Sequence, residues 1–246
     1  MKLVRRVIEA EVIAEFLKNE FYQKEYDQTR EQFEEMVLDP DLTNERHNAI
    51  RRALLFRRRG HMWRELPADT QWWEIQIGIE DLPRVRVFPR AHWRTISNGS
   101  FVVADIVERL RKLPSSGRNG PLISKIQLIR YRLQREASQS SILLIGVDEN
   151  QPMTILEGNH RFTAAMLVSP HRAQTSFQIL CGFSPHMHEC CWYVTNLATL
   201  WKYLKNRLNN IVDKEADVER VLAEGYGRQQ AEMTASASYA KASEKS

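Results

Sequence analysis

Ile142-Leu143-Leu144-Ile145-Gly146-Val147, Asp148-Glu149-Asn150-Gln151-Pro152 and Met153-Thr154-Ile155-Leu156-Glu157-Gly158-Asn159-His160-Arg161-Phe162-Thr163-Ala164-Ala165-Met166-Leu167 form the stretch whose reading decides the fold. The first run is continuously apolar, as a strand buried on both faces must be. Asp148 to Pro152 is a turn, Met153 to Leu156 a second strand, and Glu157 to Arg161 the joint into a helix beginning at about Phe162. Such a joint leaves backbone N–H groups unpaired at the positive end of a helix dipole, which suits an anion. Gly158 lets the backbone approach closely, and Arg161 offers a fork of donors matched to phosphate oxygens. Glu157 and His160 stand on either side as candidate proton-transfer or metal-binding groups. The plainer alternative is a structural joint whose glycine fits a tight turn and whose arginine pairs with a nearby acid.

Outward from this stretch the chain predicts a mixed α+β fold, with a small mixed sheet flanked by N-terminal and C-terminal helices. Residues 4–38 read as helix, with Val4, Val7, Ile8, Ala14, Leu17 and Phe21 spaced by threes and fours. A second helix, capped by Thr43 or Asn44, runs to about Arg59 and ends at Gly60. This makes 1–66 a helical layer that serves packing, oligomerisation or cover for a site. Strands are expected at 72–77 and 84–88, helices at 101–113 and 122–136, and one more strand at Phe177–Cys181. The core spans 67–192. Helices follow over 193–231, and the tail 232–246, of low complexity, is expected to be disordered.

The chain has 246 residues, with 35 Lys+Arg, 31 Asp+Glu and a net charge of +4. No apolar run approaches the roughly 20 residues of a membrane span, and Glu9, Glu11 and Glu15 interrupt any signal-peptide core. Three cysteines cannot build a disulfide framework. A cytoplasmic location, without a membrane partner, is the expectation. The charge surplus is local: residues 91–168 carry 10 basic and 6 acidic groups. Residues 46–64 hold seven arginines, at 46, 51, 52, 57, 58, 59 and 64, and no acid. An anionic ligand, nucleic acid included, is one reading; a solvated helix face is the other.

The run from Ile142 to Leu167 resembles the core of the ParB/sulfiredoxin-like superfamily, whose hallmark is a hairpin leading into an Asp/Glu-Gly-x-His/Arg-Arg turn and an Ala-rich helix. The likeness covers roughly 84–183 and is specific over 153–166. It implies a nucleotide-binding core in which Gly158, Asn159, His160 and Arg161 line the phosphate pocket and Thr163 adds a hydroxyl. Sulfiredoxins carry a Cys where this chain has Asn159, which argues against sulfinic-acid reduction. The free-serine kinases of the superfamily have an Asp-Gly-His-His-Arg turn, and Glu157-Gly158-Asn159-His160-Arg161 comes closest to that. Their general base is a Glu shortly after the first core strand. The matching Pro89-Arg90-Ala91-His92-Trp93-Arg94 has no carboxylate and offers His92 instead.

The implied function is a phosphotransferase using ATP or ADP with Mg²⁺ to phosphorylate a hydroxyl of a small metabolite such as a hydroxy amino acid. Glu157 would be metal ligand or general base, with His160 or His92 assisting. Arg161→Ala is then expected to weaken nucleotide binding at least about tenfold with little loss of stability. Two further readings stay open: a nucleotide-regulated DNA-binding protein or nuclease contacting nucleic acid through 46–64, and a non-catalytic binding module. CTP is a third possible nucleotide. Elsewhere, His186, His188, Cys190 and Cys191 concentrate metal-ligand residue types, and on a strand His186 and His188 would face one side. Six tryptophans, at 63, 72, 73, 93, 192 and 201, are expected in the core.

Overall fold

The computed structural model describes residues 1–28, 30–114, 117, 119–136, 140–209 and 217–223. The expected disordered tail 232–246 lies outside them, as does most of 210–231. Six strands form one mixed sheet: β1 (Lys2–Val7), β2 (Gln71–Gln76), β3 (Val85–Arg86), β4 (Ser141–Gly146), β5 (Met153–Glu157) and β6 (Gln178–Phe183). Their spatial order is β1-β2-β6-β4-β5-β3. The β4–β6 and β3–β5 pairs are parallel and the others antiparallel.

Why β4 is apolar at every position follows from its place. Ile142 and Leu144 point into one hydrophobic core, with Met153 and Ile155 of β5. Leu143 and Ile145 point into a second core on the opposite face, with Leu156 and Leu180. The first is covered by α5 (Val103–Leu110), α6 (Gly120–Arg135) and α7 (Asn159–Val168). The second is covered by α1 (Glu9–Glu20), α2 (Arg30–Leu38) and α3 (Glu45–Trp63). The shorter α4 (Ala91–Ser97) and α8 (Pro170–Thr175) complete the first side, and α9 (Leu197–Asn209) lies outside on α3. A strand sandwiched between helical layers has no polar face to offer, so its sequence loses the period-2 alternation.

The long N-terminal helix expected over 4–38 is corrected. Residues 2–7 form β1 on the sheet edge, paired antiparallel with β2, and helix starts only at Glu9. Val4 and Val7 fit a helical spacing, yet an edge strand with exposed Lys2, Arg5 and Arg6 leaves the same trace. A further break at residues 21–28 separates α1 from α2. Gly60 does not end α3; it is buried inside it, and the helix continues through the core residues Met62 and Trp63. Asn44 does cap it, its Oδ1 accepting from the His47 N–H at 3.0 Å. The α7 helix begins at Asn159 rather than Phe162. Among the described residues no helix is long and apolar enough to cross a membrane.

Candidate functional site

Gly158 sits between β5 and α7 at φ +97°, a left-handed conformation that other residues rarely adopt. In front of this turn opens a cavity of about 290 Å³. Glu157, Gly158, Asn159 and His160 line one wall, Arg90, His92 and Trp93 a second, and Glu20, Arg59 and Met62 a third. Three separate parts of the chain thus converge on the N-terminus of α7.

The residues expected from the sequence divide into those that reach this cavity and those that do not. Arg161 is absent from its lining. Its Nη2 bonds Oε2 of Glu157 and its Nη1 donates to Oδ1 of Asn19 at 2.7 Å. Asn19 in turn donates to Oε2 of Glu157 at 3.2 Å and to Oγ of Ser141 at 2.9 Å. Arg161 therefore ties α7 to α1 and β4 in the manner of a structural joint. Thr163 is fully buried and its hydroxyl has no partner, so it does not reach a phosphate in the cavity. Asn159 lines the wall, but its Oδ1 accepts from the Phe88 N–H at 2.8 Å and thereby clamps the end of β3 to α7.

Electrostatics sharpen the picture. Burial pushes the Glu157 carboxyl above its ordinary value, with Arg161 opposing and the charge of Glu20 adding to the rise. Burial pulls His160 down to about 4, so it is neutral at pH 7. His92 is lowered by burial and by Arg90. The rings of His92, Trp93 and His160 form a row, with centroids 5.5 and 5.4 Å apart. Glu20 is held by Arg59 at 2.9 Å and Arg58 at 3.4 Å.

Arg90 differs from all of these. Its guanidinium lies 5.0 Å from the centre of the Phe88 ring, and among the described residues it makes no ion pair and no side-chain hydrogen bond. Burial, and after it the charge of Arg59, lower its pKa. Sequence reading noted Arg90 only as a place where a carboxylate was missing. Phe88 lies two residues before it in the same loop, but Arg59 lies on α3, so no local pattern marks its place at the cavity.

The arginine-rich stretch looks different once folded. Arg51 is fully buried, donating to the carbonyls of Met36 and Asp41 at 3.0 and 2.9 Å. Arg52 bonds Glu9 at 3.0 Å, Arg58 and Arg59 share Glu20, and Arg64 lies over the Phe56 ring. Five of the seven arginines are thus engaged by the protein's own groups, Arg59 among them lines the cavity, and Arg57 is exposed.

Nor do the metal-ligand residue types assemble. His186 Nδ1 meets Oδ2 of Asp69 at 2.8 Å, while Nδ1 of His188 meets the Pro185 carbonyl at 3.0 Å. They follow β6 in a 3₁₀ turn rather than on a strand. Cys181, Cys190 and Cys191 are buried and free, and burial pushes the Cys190 thiol up to about 12. Among the described residues no group of three or more His, Cys, Asp or Glu is placed to hold a metal ion. The two carboxylates that line the cavity, Glu20 and Glu157, are both engaged by arginines, so the donor set does not fit a resident Mg²⁺.

Comparison with known proteins finds no matching family model, no similar curated protein and no similar solved structure.

Proposed function

We propose that the cavity before α7 receives the phosphate groups of a nucleotide and that the chain is a phosphotransferase acting on a hydroxyl of a small metabolite. The observation that carries this reading is Arg90, an exposed guanidinium outside any ion pair among the described residues, set at the same cavity as Arg59 and the Glu20 that Arg59 holds. The charge of Glu20 offsets part of the repulsion between the two cations, and an entering anion relieves the rest. The first N–H groups of α7 lack partners within the helix and add their dipole from the opposite wall. About 290 Å³ lies at the small end of the ~300–1,000 Å³ range of ligand pockets, suited to the phosphate end of a ligand rather than the whole of it. The order of strand, helices, hairpin, glycine turn and helix agrees with the superfamily the turn resembles. Glu157, its pKa raised toward the working range and its orientation fixed by Arg161 and Asn19, is the group best suited to accept the proton of the acceptor hydroxyl. His160 and His92 enter as neutral hydrogen-bonding partners.

One observation favours a second reading, binding without turnover. His160 at about 4 is a weak base, and Glu157 is already bonded by two side chains. The test is a melting-temperature series of the full chain with ATP, ADP and CTP, repeated on Arg90→Ala, followed by assay of nucleotide turnover with hydroxy amino acids added. A nucleotide that stabilises the native chain, with at least about tenfold weaker binding in the variant, is the expected result. No stabilisation by any of the three sinks the proposal; stabilisation without turnover selects the second reading.

A further inference from the structure

Helix α9 is turned inside out relative to the other helices. The side chains facing the protein body are Thr199, which bonds the Val194 carbonyl, Asn206, which donates to Glu65 at 2.7 Å, and Tyr203, edge-on to Trp192. The side chains facing outward are Leu197, Leu200, Trp201, Leu204 and Leu208, between 41 % and 88 % exposed. Only Thr199 of the whole helix is buried. At 100° per residue these five apolar positions span one continuous arc, and Lys205 and Arg207 border it, one on each side. Both cations are exposed and neither forms an ion pair with a described residue. From Cys190 to Val212 the sequence has Lys202, Lys205 and Arg207 and no acid.

We infer that the outer face of α9 docks onto an anionic lipid surface. A helix with leucines and an aromatic ring along one face and basic residues at its borders lies in the plane of a membrane interface, its apolar side chains within the headgroup boundary. Trp201, at 73 % exposure in the middle of the arc, has the amphipathic ring that favours that depth. Lys205 and Arg207 stand where their stems run along the apolar layer and their charges meet lipid phosphates. A second copy of the chain fits less well, because packing two such faces together brings bordering cations against cations with no acid between them. The helix rests on the surface in this reading and does not cross it, in keeping with the absence of a spanning helix among the described residues.

The experiment is sedimentation of the full chain with vesicles of phosphatidylcholine mixed with phosphatidylserine, beside vesicles of phosphatidylcholine alone. Binding to the mixed vesicles, weakened by salt, is expected, with little binding to the neutral ones. Lys205→Gln and Arg207→Gln should each weaken it by roughly fivefold, following about 1 kcal/mol per basic residue near an anionic surface. Trp201→Glu should abolish it while leaving the melting temperature and any nucleotide response unchanged. No sedimentation with anionic vesicles, or equal sedimentation of wild type and Trp201→Glu, overturns the inference. So does light scattering that finds a dimer which Trp201→Glu dissociates, since the face is then covered by a second copy.

Discussion

The arginines of α3 and the arginine at the start of α4 are the same residue in opposite circumstances. Arg51, Arg52, Arg58 and Arg59 are bonded to carbonyls or carboxylates of their own chain; Arg90 lies against an aromatic ring, with Arg59 and Glu20 acting on it only at a distance. Density of positive charge in the sequence pointed to the first group, and folding pairs most of it with groups of the same chain while burying only Arg51. In the function proposed above, the site is marked by a charge outside any ion pair and not by the number of charges in a row.

Four experiments break or sharpen that contrast. The largest effect belongs to Arg51→Met, which removes the buried guanidinium that bonds the Met36 and Asp41 carbonyls and should cost about 3 kcal/mol in urea unfolding, with no change in ligand response. Next is Arg161→Ala, which leaves Glu157 without its counter-ion; the two side chains keep 21 % and 14 % exposure, so a loss of roughly 2–3 kcal/mol is expected. Adding Glu157→Gln to it should recover part of the loss in a double-mutant cycle, whereas full additivity would show the pair to be uncoupled. The contacts Arg161 makes favour a loss of stability over the sequence-based expectation for Arg161→Ala, weak binding in an intact protein, and measuring both on this variant decides between them. Arg90→Ala is predicted to leave the urea midpoint unchanged, or to raise it slightly by removing a repulsion, while phosphate-ligand affinity drops at least about tenfold. A destabilised Arg90→Ala with unaltered affinity would erase the contrast between the two groups.

The smallest effect is a pH dependence. His160 has a folded pKa of about 4 against 6.5 for the free side chain, so between these values the unfolded chain binds more protons. Its contribution to stability is full above pH 6.5 and lost as the pH falls toward 4. Comparing wild type with His160→Gln over pH 4 to 7 isolates this slope from that of Glu157, whose raised pKa acts in the opposite direction. A phosphate placed in the cavity should raise the His160 pKa, so ligand binding at pH 5 should take up protons in calorimetry; release instead would put the ligand elsewhere.

Much of the fold was legible where local pattern and tertiary role coincide. The hairpin and glycine turn were readable because a strand buried on both faces has no freedom to be polar, and α5 and α6 because each covers one core with one stripe. The β1 strand was not, since its partner is some seventy residues away in β2 and its exposed positions carry charges at spacings a helix also permits. At the site, Glu157, Gly158, Asn159, His160 and His92 were found by type and position, and all five line the cavity. Arg59 is legible only as one of seven arginines in a run, and Glu20 and Arg90 not at all, because their nearness at the cavity arises only in the fold. Trp201 was read as core like the other tryptophans; composition gives no sign of which way a helix is turned.

The glycine turn and its neighbours suggest a portable unit over 67–192, but the fold denies it portability. The cavity takes Phe16, Glu20, Arg59 and Met62 from before residue 67, and the bond network around Arg161 closes through Asn19. A fragment cut at 67 would also bare Leu143, Ile145 and Leu156, which α1 to α3 cover. Anyone transplanting or trimming this protein is dealing with one indivisible part, and an insertion between α3 and β2 that loosened the N-terminal layer would open the pocket from behind.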